Sequence, residues 1–131
     1  AGGEYGAATG RPRRVGPFDV PASRFGVQVQ GADYIALTKM DVLAYMDKIP
    51  VCVAYDVDGE ITGAFPSGGK LDRAKPVIEY LEGFGDISGC RSAEELPKAA
   101  MDYIRYIEKA VQCPVKYVSV GPGRDEYIKM Y

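Results

Sequence analysis

Four consecutive residues, Thr38-Lys39-Met40-Asp41, carry the most specific chemistry in this chain of 131 residues. A carboxylate fixed at position 41 can accept two hydrogen bonds at once, from the N1–H and the exocyclic amine of a guanine. The methylene stem of Lys39 can cover the face of the same base while its ammonium stays in water. Adenine carries an acceptor at N1 and would be rejected. The same residues also fit a solvated turn capped by Asp41, and both readings stand at this level. A second candidate is Thr9-Gly10-Arg11-Pro12-Arg13, which puts a hydroxyl, an approachable backbone and two guanidinium forks on a segment stiffened by proline. Guanidinium donors match the paired oxygens of carboxylates and phosphates. The competing reading is a solvated terminus with incidental arginines.

The elements that must position these groups follow from pattern. Tyr34-Ile35-Ala36-Leu37 reads as a buried strand that ends in the polar cluster, and in an open α/β sheet ligands bind at such carboxyl edges. Val42–Asp47 reads as a short helix with Val42, Leu43 and Met46 on one face, ended by Pro50. Val51–Tyr55 and Ile61–Phe65 flank Asp58-Gly59, a hairpin cue, with Tyr55 and Phe65 expected to pack across the strands. Ser67-Gly68-Gly69-Lys70 lacks the spacing of a phosphate-binding loop and reads as a surface turn. Pro76–Leu81 is a further strand candidate, followed by a glycine-punctuated loop over Glu82–Gly89.

Ser92-x-x-Glu95 is a capping-box pattern, and Pro97 suits the first turn of a following helix. Leu96, Ala100, Tyr103, Ile104, Ile107 and Val111 recur at three- and four-residue steps, which predicts an amphipathic helix of about four turns. Cys113-Pro114 ends it, and Val115–Val120 reads as a strand running into Gly121-Pro122-Gly123. If that strand shares a sheet with Tyr34–Leu37, Ser119–Gly121 lies near Asp41. Residues 1–18 read as a bent loop. Residues 19–31 stay ambiguous: Asp19 and Pro21 suggest a helix start, whereas Phe25, Val27 and Val29 alternate as in a strand.

A net charge of −2 argues against general nucleic-acid binding. Arg11, Arg13 and Arg14 nevertheless cluster in a segment whose only acid is Glu4, so a local anion site is expected there. There is no histidine, which excludes Ser-His-Asp and Cys-His catalysis and histidine-ligated metals within this chain. Cys52, Cys90 and Cys113 stand far apart, a pattern of reduced thiols rather than of a disulfide framework or zinc site. No apolar run approaches the about 18 residues of a membrane span, so a soluble protein is expected. The start, without Met and without a recognisable targeting segment, suggests a piece of a longer gene product.

Gly3-Glu4-Tyr5-Gly6, Thr9–Arg14, Leu37–Leu43 and Val118–Pro122, in this order and at these intervals, resemble the C-terminal portion of the adenylosuccinate synthetases. Val51–Tyr55, Phe65-Pro66, Lys75–Val77, Leu96–Ala100 and Asp102–Ile104 add to the likeness, which spans nearly the whole chain. The resemblance implies an α/β architecture, the C-terminal part of a P-loop-NTPase-like nucleotide-binding fold with a mixed sheet, a long amphipathic helix and a β-hairpin subdomain. It divides 1–131 into a substrate loop (1–18), a nucleotide-base side (32–48 and 95–124) and a small β subdomain (50–82).

The activity it implies is a ligase of purine biosynthesis that joins IMP and L-aspartate with GTP, through 6-phosphoryl-IMP and with Mg2+. By position, Ala7, Ala8, Thr9, Gly10, Arg11, Pro12 and Arg13 look like the aspartate-binding loop, with Arg11 also reaching IMP and Arg13 reaching GTP. Lys39, Met40 and Asp41 look like the guanine-recognition segment, and Ser119, Val120 and Gly121 like the turn lining the same base. Ala8 stands where the family commonly has a threonine. The family's phosphate loop, catalytic aspartate and histidine, and metal site lie upstream. No catalytic or metal-binding residue is therefore expected in this chain, and the piece alone is expected to be inactive. The whole enzyme is expected to be a cytoplasmic homodimer that binds neither nucleic acid nor membrane. The rival expectations are a weak guanine-nucleotide-binding module, or a ligand-free scaffold whose strand Tyr34–Leu37 has lost sheet neighbours.

Overall fold

Asp19 decides where the first helix begins. The computed structural model, which describes residues 1–131, has Phe18–Asp19 as a two-residue strand, β1, running into helix α1, Val20–Gln30. Asp19 is extended, and its Oδ1 accepts the Ala22 N–H at 2.9 Å, satisfying a donor that the helix cannot. Pro21 sits in the first turn, and Gly31, at φ 61°, provides the left-handed exit. Residues 19–31 are thus helical. The alternation of Phe25, Val27 and Val29 is incidental, since Phe25 and Val29 remain exposed.

Two mixed sheets follow. In the first, β3 (Lys48–Val57) pairs antiparallel along its length with β5 (Ala74–Glu82). The other edge of β3 is shared by β1, parallel at Val51 and Cys52, and by β4 (Glu60–Thr62), antiparallel at Tyr55–Val57. In the second sheet, β2 (Ile35–Leu37) pairs parallel with β6 (Val115–Ser119), which pairs antiparallel with β7 (Tyr127–Lys129). The helix α3 (Lys98–Val111) packs on α1 and reaches both β5 and β6. One cluster of 18 buried residues therefore joins the sheets, from Ile49 and Val51 on one side to Leu37, Val118, Val120 and Ile128 on the other. Arg24 fastens α1 to the end of α3 by donating from Nε to the Ala110 carbonyl at 2.8 Å.

Several local expectations are corrected. The strand at Tyr34–Leu37 is only partly buried: Ile35 and Leu37 turn toward the core while Tyr34 and Ala36 face outward, because successive side chains alternate and only one face of this edge strand is covered. The short helix expected over Val42–Asp47 forms as a 3-10 helix set two residues earlier. The chain forms a tight 3-10 turn over Met40–Tyr45, and Pro50 does not end it but lies within β3, at a position where β1 has not yet begun to pair. The returning strand is shorter than Ile61–Phe65, stopping at Thr62. Tyr55 and Phe65 do not pack on each other: Tyr55 donates its hydroxyl to Asp19 Oδ2, and Phe65 stacks on Phe25 with ring centroids 5.6 Å apart. Ser67–Lys70 leads into a short helix, α2 (Gly69–Arg73), rather than a simple turn.

The capping box at Ser92–Glu95 does not form either. Those residues make a separate 3-10 turn, the Glu95 carboxylate accepts the Arg91 N–H, and α3 begins after Pro97 without a side-chain cap. What stabilises α3 is its buried face of Ala100, Tyr103, Ile104, Ile107 and Val111. Burial of this kind contributes about 1.5–3 kcal/mol for each large apolar side chain.

Tyr103 is 3% exposed, its ring 5.8 Å from that of Phe84, and burial pushes its hydroxyl up to about 12. The unfolded chain ionises tyrosine near 10. The neutral hydroxyl therefore contributes its full stability below pH 10, and that contribution drains away as pH rises from about 10 to about 12. Urea unfolding midpoints measured across this window are expected to fall less steeply for Tyr103→Phe than for the unaltered chain; equal slopes would contradict the assignment.

Candidate functional site

The parallel pairing of β2 with β6 carries both strands to the same sheet edge, and the polar segments that follow them meet there. Leu37 pairs with Val118, so Lys39 and Asp41 emerge next to Gly121 and Pro122. Together with Ala1, Gly2, Val42, Ala44 and Tyr45 they line a cavity of about 510 Å³. Each polar segment is anchored by a buried apolar residue set between more accessible ones. Met40, 1% exposed, lies between Lys39 and Asp41, and Val120, fully buried, lies between Ser119 and Gly121. Neither residue lines the cavity; both anchor the segments that do.

Lys39 adopts the left-handed region, at φ 61° and ψ 30°, to begin the 3-10 turn. A residue with a Cβ pays strain there, and such strain concentrates at functional sites. The kink sends the Lys39 ammonium to the Gly2 carbonyl at 3.1 Å and to the Glu4 carboxylate. Glu4 also pairs with Arg13, at 3.4 Å, and the hydrogen bond from Lys39, with Arg13 alongside, holds the Glu4 carboxyl below the usual carboxylate range.

The facing turn is held by Glu126. Its main-chain N–H donates to the Gly123 carbonyl, its own carbonyl accepts the Val120 N–H, and its carboxylate accepts the Gly123 N–H. The Ser119 hydroxyl donates to the Gly121 carbonyl at 3.0 Å. Ser119 thus supports the turn from behind and does not line the cavity.

The segment Ala7–Arg13 is exposed throughout and does not line this cavity. It forms a small closed loop in which Gly6 and Arg11, and Gly10 and Gly6, are joined through the main chain at 2.8 Å, and Tyr5 bridges to Pro12. Thr9 Oγ1 accepts the Arg11 N–H at 3.3 Å. Pro12 and Arg13 line a smaller hollow of about 290 Å³ with Glu4 and Tyr5, and this hollow shares Ala1 and Gly2 with the first cavity. No group of three or more Asp, Glu, Cys or His is arranged to hold a metal ion, and no helix is long and apolar enough to cross a membrane.

The family model for adenylosuccinate synthetase matches residues 1–128. The chain belongs to the adenylosuccinate synthetase family. An adenylosuccinate synthetase of Aquifex aeolicus is 48% identical over 129 residues, which cover 97% of this chain and 30% of that protein. One from Thermobifida fusca is 44% identical over 131 residues, covering 98% and 31%. A structure described as fully ligated adenylosuccinate synthetase from Plasmodium falciparum superposes with a TM-score of 0.92 at 37% identity, over 99% of this chain and 32% of that one. The chain thus spans about 30% of the length of the curated relatives it matches.

Within this adenylosuccinate synthetase portion, the sequence reasoning missed Gly2, Tyr45 and Pro122 in the cavity wall, and Glu4 and Glu126 behind it. A signal existed for Glu4, the only acid among the first eighteen residues. None existed for Glu126, whose role comes from a turn closing on itself.

The two glycines nearest the site and the sheet edge differ in what surrounds them. A Cβ on Gly121 would meet only the far end of Glu126, at 2.5 Å, whereas one on Gly83 would meet the Met46 carbonyl oxygen at 2.1 Å and that of Asp47 at 2.8 Å. A side-chain carboxylate can move aside, giving up its bond to the Gly123 N–H, but main chain cannot. Gly121→Ala is expected to cost less than about 1 kcal/mol and Gly83→Ala more than about 2 kcal/mol in urea denaturation; the reverse order would contradict these surroundings.

Proposed function

We propose that this chain supplies guanine recognition and aspartate capture to an adenylosuccinate synthetase, the ligase that joins IMP and L-aspartate with hydrolysis of GTP, through 6-phosphoryl-IMP, on the way to AMP. The observation that carries the reading is the convergence of Lys39, Asp41 and Gly121, from two distant parts of the chain, on one cavity. Asp41 accepts the N1–H and the exocyclic amine of guanine, the Lys39 stem packs on the base, and Gly121 lets the base come close to main chain. Met40, Ser119 and Val120 act by fixing that geometry. Ala7–Arg13 closes over L-aspartate, with Arg11 facing IMP and Arg13 facing GTP. Membership of the family supports the reading as a whole.

On the same reading the fold is the C-terminal part of a P-loop-NTPase-like unit, with residues 1–18 as the substrate loop, 32–48 and 95–124 as the base side, and 50–82 as a β subdomain. The whole enzyme is a cytoplasmic homodimer. The residues here do not fit a magnesium site, which needs several hard oxygen ligands in octahedral array, since Asp41 is the only acid lining the cavity. We assign Mg2+, the phosphate cradle and the catalytic groups to the part of the family's length not represented in these 131 residues. What this chain contributes is orientation: a base held at a fixed edge places the far end of the nucleotide, and positioning of that kind supplies much of the rate in phosphoryl transfer.

Replacing Asp41 by Asn removes the charge from two hydrogen bonds to the base, each worth about 1.5–3 kcal/mol when charge-assisted. In the full-length enzyme, Asp41→Asn is expected to raise the KM for GTP at least about tenfold and to erase the preference for GTP over ITP; an unchanged preference would overturn the reading. The 131 residues alone, given IMP, GTP, Mg2+ and L-aspartate, are expected to form no adenylosuccinate, and turnover would place catalytic groups within this chain.

A further inference from the structure

Glu4 stands between two cations that are 26 positions apart in sequence. One carboxylate oxygen, Oε1, takes the Lys39 ammonium, and the other, Oε2, takes Arg13 Nη1 at 3.4 Å. The main chain repeats the link, because the Arg13 N–H donates to the Glu4 carbonyl at 2.9 Å and Tyr5 bridges to Pro12 immediately beyond. Glu4 therefore sits at the root of the loop that carries Ala7–Arg13 and also touches the one lysine that lines the cavity. Its side chain is 24% exposed, against 52% for Lys39 and 59% for Arg13, so the carboxylate is the sheltered centre of the trio.

A lone exposed ion pair contributes little. Here a single carboxylate restrains two cations at once, and its backbone is bonded to one of them. Without it Lys39 and Arg13 would repel each other, and the four-carbon stem of Lys39 would be held along the cavity wall only by the bond from its ammonium to the Gly2 carbonyl. We propose that Glu4 is a positioning residue of the nucleotide site: it holds Lys39 along the wall and couples the substrate loop 7–13 to the base-recognition segment 39–41. The proposal rests on the functional reading above. Its consequence is that occupancy at one segment restrains the other, through a residue that touches neither substrate.

The test uses the full-length enzyme with Glu4→Gln and Glu4→Asp, beside Asp41→Asn, and measures kcat and KM for GTP, ITP and L-aspartate together with the melting temperature. Glu4→Gln is expected to raise the KM for GTP and the KM for L-aspartate together, each about fivefold or more, with a smaller change in kcat and the preference for GTP over ITP retained. Glu4→Asp, which keeps the charge but cannot span both cations, is expected to fall between the two. A lowered melting temperature with both KM values within about twofold of the parent would reduce Glu4 to a structural role and overturn the proposal. If Glu4→Gln fails to fold, Glu4→Asp is decided by the same paired KM comparison. If Asp41→Asn abolishes the GTP preference while the Glu4 variants leave both KM values unchanged, the coupling alone is wrong; if Asp41→Asn changes nothing, the nucleotide reading itself fails.

Discussion

Everything that brings the candidate site together depends on the parallel pairing of β2 with β6. The two strands are about eighty residues apart in the chain; Ile35 lies opposite Val115, and after a one-residue shift in register Ala36 lies opposite Tyr117 and Leu37 opposite Val118. Parallel strands end at the same edge, so whatever follows each of them is delivered to the same place. A slip of one residue would turn Leu37 and Val118 out of the core and carry Asp41 away from Gly121. The pairing is secured by burial on the core face, where Val115 and Val118 are wholly inaccessible and α3 packs behind β6, and by the Glu108 carboxylate, which accepts the Val115 N–H at 2.7 Å where the helix gives way to the strand.

The edge is then made precise by alternation between anchored and exposed positions. Met40 and Val120 are pulled into the same core, and the residues on either side of them are left facing the cavity or supporting its wall. Fixing an apolar residue between two polar ones limits how far either can move, which is how a loop at a strand end acquires the rigidity of the sheet. Lys39 pays for the geometry with a left-handed backbone, and that strain is held by the surrounding contacts of the 3-10 turn. On the opposite wall the Gly121–Gly123 turn is drawn tight by Glu126.

Much of this architecture was legible because it is periodic or local. The spacing of Leu96, Ala100, Tyr103, Ile104, Ile107 and Val111 marked the buried face of a helix that runs from Lys98 to Val111, and Asp58-Gly59 marked the turn between β3 and β4. The failures share a cause. Ser92 and Glu95 have the right types for a capping box, but Glu95 finds the Arg91 N–H instead; Phe65 has the right type for a cross-strand partner, but Phe25 is nearer. In each case a local rule was overruled by a competing contact that the pattern does not encode.

The linear chain by itself determined the chemistry on offer: a carboxylate and an ammonium two positions apart after an apolar run, an arginine-rich loop with one acid, and no histidine anywhere. Only the tertiary structure decided which of these groups meet. That Gly121 faces Asp41, that the side chains of Met40 and Val120 belong to the interior, and that Glu4 reaches across to Lys39 all depend on contacts between residues far apart in sequence. Residue type and spacing govern contacts within a few positions along the chain, whereas these meetings are set by how two sheets and two helices share one core.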